Sequence, residues 1–378
     1  TVIRSVGIFD TSHMAAVSVV GSDARELLQQ YLSKDLDHCL GAGQMPLENG
    51  RCVYGVFLHE TGEVLDDAIV YQLRPDRFMV VVNAGMGGPV TAHLQEGAEG
   101  LDVELEDLTD RVGKMDIQGP AAGKLVARLI RDPEKVFDRF PYFSFKGGFG
   151  KQSGSEQVEL LDGTPLLLSR TGYTGEFGFE LFCEIDKLVP LWEKVLEEGA
   201  DLQVMACGLA ARDSLRAGAV LPLSHQDIGH WLFLNNPWQF ALPLDGEGNF
   251  SKDFIGRDAL ESEDADFTLP FAGFDPRKIP ADENCYVTTE DGTRCGTILT
   301  CTTDMAIGRR DGEIVSIATD PDFVAKGLSC GFVLVDRPLV PGDLVLLTDG
   351  KRKIKVEIRQ DVRPGRTARK GLATMFSK

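Results

Sequence analysis

Apolar positions in the first part of the chain recur in two periods. An apolar run over 17–20 predicts a strand. Gly21-Ser22-Asp23 then opens a helix with Ser22 or Asp23 at its N-cap, and Ala24, Leu27, Leu28, Tyr31 and Leu32 follow at helical spacing. Three strands come next, over 52–58, 64–73 and 77–83. The turns between them are His59-Glu60-Thr61-Gly62 and Arg74-Pro75-Asp76. Connections this short join antiparallel neighbours, so the segment predicts a meander. Side chains alternate across a strand. Asp67 therefore shares a face with Ile69 and Tyr71, and Asp66 shares the other with Ala68 and Val70.

Further along, the pattern predicts a strand over 115–118 closed by Gly119-Pro120, then a helix over 121–130 with Leu125, Val126 and Leu129 on one side. A strand over 166–169 leads into the glycine-rich segment 171–178, and a strand over 179–183 follows. Helices are expected over 189–196 and 209–217, with a turn at 205–208 before the second. A domain boundary is expected near 251–265, in a polar run. Beyond it the pattern changes to short strands over 286–289, 296–301, 314–318, 330–335, 344–347 and 353–358, a spacing that suits a small antiparallel barrel.

A length of 378 residues suggests two or three domains. No apolar run approaches the ~20 residues of a membrane span, and the first ten residues lack the layout of a secretion signal. A net charge of -19 argues against nonspecific binding to nucleic acid or an anionic membrane. The eight cysteines form no C-x-x-C pair and read as reduced core thiols. The expected compartment is the cytoplasm, or a mitochondrial matrix in a eukaryote.

Three segments carry candidate chemistry. Asp66-Asp67 interrupts an apolar strand, where a buried carboxylate is costly without a partner. The plainer reading is a strand-edge aspartate that meets solvent or caps a turn. In Ser169–Glu180, Gly172, Gly175 and Gly178 allow close approach of backbone to a ligand, while Tyr173 offers a flat face and Glu180 an acceptor pair. The spacing fits neither a Walker loop nor a dinucleotide fingerprint, and a hairpin turn with an exposed glutamate is the alternative. Arg212 and Arg216 stand one helical turn apart, placed to bind a carboxylate or to pair with acids such as Asp213. No histidine pair has zinc-hydrolase spacing, so no metal is expected. The G-x-S-x-G string Gly327-Leu328-Ser329-Cys330-Gly331 lacks a following helix and histidine and reads as a loop coincidence.

The ordered set Gly7–Met14, Val64-Leu65-Asp66-Asp67 with Val70-Tyr71, Val81–Ala84, Gln118-Gly119-Pro120, Ser169–Glu180, Gly208–Arg216 and Phe254–Arg257 resembles the aminomethyltransferase (T-protein) family of the glycine cleavage system. The resemblance runs through most of residues 7–260 and is loose in the C-terminal third. It implies a three-lobed α+β architecture, with antiparallel sheets flanked by helices and a small C-terminal β-barrel. On that pattern residues 1–255 form a folate-binding region of two interleaved lobes and residues 266–378 the barrel domain. It implies tetrahydrofolate as co-substrate, with Asp67 catalytic. Tyr54, Ile69, Tyr71, Val81, Asn83 and Tyr173 line the folate pocket, Glu180 reads the pterin, and Arg212 binds substrate. A carboxylate suits the amino and N–H edge of a pterin, because charge-assisted hydrogen bonds are about twice as strong as neutral ones.

The run after the second helix departs from the family's R-L-E-A-G-L-P-L-Y-G-Q-D. Gly218 stands at the glutamate, and Ser224-His225 stand at the Tyr-Gly pair. The family's aromatic tail has no clear match near 363–370, and its first few dozen residues have no counterpart before Gly7. Three functions are therefore weighed. The first is aminomethyl transfer from a lipoyl carrier protein (H-protein) to tetrahydrofolate with release of ammonia. The second is tetrahydrofolate-dependent demethylation of a small O-, N- or S-methyl compound, with Ser224, His225 and Trp238 as its donor pocket. The third is a non-catalytic folate-binding accessory protein, whose K-G-C-Y-x-G-Q signature is absent.

Overall fold

The computed structural model describes residues 1–154, 156–262 and 264–376; Glu263, in the expected boundary segment, lies outside them. The meander is present as the strands Arg51–Leu58, Val64–Arg74 and Arg77–Val82. Ala15–Val20 and Glu104–Asp107 extend it to five antiparallel strands. One face buries Val17, Val53, Phe57, Ala68, Val70 and Val80 against Leu27, Leu28, Val90 and Leu94 of the helices Ala24–Tyr31 and Gly87–Gly97. The expected N-cap is not used as a cap. Asp23 accepts the backbone N–H of Asp102 at 2.8 Å and Ser22 donates to the Asp102 carboxylate at 2.9 Å, so both side chains tie the helix start to a distant turn.

A second sheet of seven strands runs in the order Met205–Ala206, Gly7–Asp10, Val112–Gln118, Gly178–Glu184, Leu167–Ser169, Phe145–Phe149, Gln152–Ser153. Met205–Ala206, expected as a turn, pairs parallel to Gly7–Asp10 at the sheet edge. The helices Ala122–Leu129 and Ile185–Glu198 cover the outer face. The inner faces of the two sheets meet through Tyr71, Leu73, Met79, Val81, Phe145, Leu167 and Phe182. The Ile69–Tyr71 face, fixed by strand alternation, thus lies between the sheets.

The third body is a closed antiparallel barrel of Phe267–Gly273, Leu328–Val335, Arg294–Asp304, Tyr286–Thr289, Leu344–Thr348 and Lys353–Ile358. Phe267–Gly273 escaped the sequence reading because Pro270 interrupts its strand signal. The strand expected over 314–318 is Glu313–Ser316, and it pairs with Ile307–Arg310 in a hairpin outside the barrel. Leu328, Cys330 and Phe332 of the barrel pack with Val56 and Leu58 of the meander and with Trp238. The G-x-S-x-G string is therefore largely strand rather than loop, with Ser329 buried.

Candidate functional site

Register sets the first group of side chains. Tyr54 lies opposite Ile69 and Val56 opposite Asp67, so Tyr54 and Asp67 are diagonal neighbours on one face. Asp67 Oδ2 accepts the Tyr54 hydroxyl at 2.8 Å, and Asp67 Oδ1 accepts Asn83 Nδ2 at 2.6 Å. The same amide donates to Asp66 Oδ1 at 2.8 Å. Asp66, 0% exposed, also accepts the Asn83 backbone N–H at 2.9 Å and Ser224 Oγ at 2.7 Å, with His225 Nε2 3.7 Å away. Neither carboxylate is a solvent-facing strand edge. Burial, and then the Asp66 charge, push the Asp67 carboxyl up to about 6, against the hydrogen bonds from Tyr54 and Asn83. Asp67 is nonetheless half-buried rather than sealed. Phe240, largely exposed, stands 5.8 Å from the Tyr54 ring.

The second group hangs on the strand Val112–Gln118. Lys114 and Asp116 alternate onto one face, and the register sets Glu180 directly opposite Asp116. Glu180 Oε1 accepts Lys114 Nζ at 2.5 Å, and Glu180 Oε2 accepts Thr171 Oγ1 at 2.5 Å, with Tyr71 Oη at 3.5 Å. Lys114 Nζ also donates to Asp116 Oδ1 at 2.8 Å and to Thr11 Oγ1 at 3.1 Å. Arg212 Nη1 donates to Asp116 Oδ2 at 2.8 Å, and its guanidinium lies 4.7 Å from the Tyr173 ring centroid. Burial raises the Asp116 carboxyl, but the Lys114 and Arg212 charges outweigh it and hold it down to about 2. At Glu180 burial wins over Lys114, and the carboxyl is raised.

The glycine-rich loop is closed by the C-terminal tail. Gly175 has φ +74°, and a Cβ there would stand 2.7 Å from Ala219 Cβ. The fully buried Arg363 donates to the Thr174 carbonyl, to Asp304 Oδ2 at 2.6 Å, and reaches Glu176 Oε1 at 3.3 Å. Thr367 Oγ1 donates to Glu176 at 2.6 Å and accepts the Phe177 N–H at 2.8 Å. Gly218 makes room for this ion pair, since a Cβ there would collide with Asp304 and stand 2.8 Å from Arg363 Nη1.

Of the expected site residues, Tyr54, Asp67, Asn83, Ser224 and His225 gather at the two aspartates. Tyr71, Tyr173, Glu180 and Arg212 gather at the charge network. Ile69 pairs with Val81 across strands and, like Met14, packs on the apolar cluster between the sheets; the Met14 sulfur lies 4.0 Å from Arg212 Nη2. Tyr71 is sealed between Phe145 and Phe182. The Tyr173 hydroxyl donates to the Pro222 carbonyl, which ties the loop to the turn carrying Ser224. Trp238 joins neither group: it is 1% exposed, donates to the Val220 carbonyl at 2.9 Å and packs on Phe332. Arg216 turns away from Arg212 to buried Asp227, Asp213 and Thr300. Sequence reasoning missed Lys114 and Asp116, although polar residues alternating within an apolar strand were the available signal.

Among the described residues no group of three or more His, Cys, Asp or Glu side chains is placed to hold a metal, and no helix is long and apolar enough to cross a membrane. The eight cysteines are free. The GCVT N-terminal domain family matches residues 1–232. The aminomethyltransferase of Alkaliphilus metalliredigens (strain QYMF) is 32% identical over 301 residues, covering 79% of this chain and 75% of the relative. The solved structure of glycine cleavage system aminomethyltransferase T from Bartonella henselae shares the fold, with a TM-score of 0.72 and 24% identity over 97% of this chain and 88% of that one.

Proposed function

This chain belongs to the glycine-cleavage T-protein (aminomethyltransferase) family, and from that premise we propose that it is a tetrahydrofolate-dependent aminomethyltransferase. It takes the one-carbon unit from an aminomethyl-dihydrolipoyl carrier protein and delivers it to tetrahydrofolate with release of ammonia. The observation that carries this reading is Asp67, a half-buried carboxylate fixed by Tyr54 and Asn83 and held at about 6. The division into a folate-binding region, 1–255, and a barrel domain, 266–378, belongs to the same proposal. The two facing sheets and the closed barrel support it.

The donor set fits a reduced pterin. Tyr173 and Ile69 are half-buried flat or aliphatic faces, and Glu180 supplies acceptors. A carboxylate has about four lone-pair sites, so the three partners of Glu180 leave one acceptor site for a pterin N–H. When bound, tetrahydrofolate supplies the nucleophilic nitrogens that receive the one-carbon unit. Asp67, ionised at neutral pH, stabilises positive charge as the amine leaves or takes up its proton. Tyr54 and Asn83 keep that carboxylate in one orientation. Arg212, with one edge on Asp116 and one face on Tyr173, turns its remaining N–H groups to a carboxylate. No observation favours demethylation: Ser224 and His225 turn onto Asp66, and Trp238 is core.

Anaerobic turnover with tetrahydrofolate and aminomethylated carrier protein tests the reading. Ammonia release is expected, and Asp67→Asn should lower it by about a hundredfold or more while folate still binds. Absence of tetrahydrofolate affinity overturns the assignment, and a 5-methyl product from a small methyl donor replaces it with demethylation.

A further inference from the structure

We propose that Lys114 and Asp116 are positioning residues that join the two ligand-facing charges, Glu180 and Arg212, into one buried bar, so that the acid stays an acceptor and the guanidinium keeps one orientation. The inference rests on the folate reading above and deepens it.

Glu180 and Asp116 sit directly opposite on neighbouring strands, and like charges so placed are destabilising. Both are also nearly sealed from water, Glu180 at 5% and Asp116 at 0% exposed. Lys114, itself 2% exposed, stands on the same face and bonds both. An ammonium has three protons, and Lys114 spends them on Glu180, Asp116 and Thr11. None is left for a ligand, so Lys114 acts through its neighbours. The other oxygen of Asp116 holds Arg212. The bar Glu180–Lys114–Asp116–Arg212 thus alternates in sign without a gap and balances two cations against two carboxylates.

Its chemical consequence lies at Glu180. A protonated acid would present a donor where an N–H edge needs an acceptor. The titratable groups facing Glu180 are Lys114 and Asp116 on the adjacent strand, Tyr71 and Cys52 on the opposite sheet, and Tyr142. Lys114 is the one cation among them. Without it, Glu180 is left buried beside a second carboxylate with no cation to offset them, which shifts it further toward the protonated form.

Anaerobic calorimetric titration of the full chain with tetrahydrofolate, between about pH 6 and 9, tests this. Lys114→Met should weaken binding roughly tenfold at neutral pH, with recovery as the pH rises, while kcat at saturating folate stays within about threefold. Lys114→Arg, which keeps the charge, should restore the wild-type profile. A Lys114→Met protein with unchanged affinity and pH profile overturns the proposal. So does a parallel loss of affinity and kcat at every pH, or a failure of arginine to rescue. Should Lys114→Met not fold, the isosteric Asp116→Asn decides: it turns one of the two oxygens that hold Lys114 and Arg212 into a donor and breaks the bar at one of them, which should weaken binding about threefold or more, and wild-type affinity overturns the proposal. If the wild-type chain itself ignores tetrahydrofolate, the functional reading falls and this inference with it. Failure confined to the variants leaves that reading standing.

Discussion

The Tyr54 hydroxyl donates to Asp67 Oδ2 at 2.8 Å across the diagonal of two paired strands. The bond favours the ionised carboxylate, while burial and the Asp66 charge favour the protonated one. The balance leaves Asp67 at about 6, above the 3.8 of an ordinary aspartate. The acid is charged above that value and neutral below it. If the ionised form does the work, turnover falls as the pH drops through about 6. A pH profile of kcat checks this, and Asp67→Asn should lose the acid limb together with most of the activity.

Tyr54→Phe deletes one of the two side-chain bonds to the charged form of Asp67. The acid limb should move upward by roughly half to one pH unit, since a hydrogen bond contributes about 0.5–1.5 kcal/mol and a pKa unit is about 1.4. An unmoved limb with lowered kcat would show that the tyrosine serves only the ligand.

Arg363→Met strands two buried carboxylates, Asp304 and Glu176, and the Thr174 carbonyl. Removing one partner of a buried pair costs about 3–5 kcal/mol. Denaturant unfolding should show a loss of that size, and the loop 171–178 should become open to protease.

Gly218→Glu restores the residue usual in the family and should nevertheless destabilise this chain. Its Cβ would collide with Asp304, and its charge would enter beside that carboxylate. A loss of roughly 3 kcal/mol is expected, measured as a lowered unfolding midpoint. Stability equal to wild type would mean that the Arg363–Asp304 pair can shift.

Much of the meander was legible because its signals are local. Period-two alternation and two short turns fixed the three strands, and they placed Asp67 on the face of Ile69 and Tyr71. What escaped is nonlocal. Lys114 meets Glu180 across 66 positions, and no spacing rule links them. Asp23 carries a cap signal, yet Asp102 captures its side chain from 79 residues away. Trp238 looked suited to a pocket, but a large apolar ring contributes more to a core, and the barrel supplied one through Phe332. Phe267–Gly273 was hidden by its proline, tolerated at that position of the barrel wall.

The Thr174 carbonyl bonds a guanidinium encoded 189 positions downstream. At about 5–20 residues per second, a ribosome needs roughly 10–40 s to span that distance. During this interval the strands Leu167–Ser169 and Gly178–Glu184 can pair, but the nascent protein lacks the arginine that shuts the loop joining them. The glycine-rich loop is therefore made early and closed late, so a chain stalled or cut before Arg363 keeps the loop without its clasp.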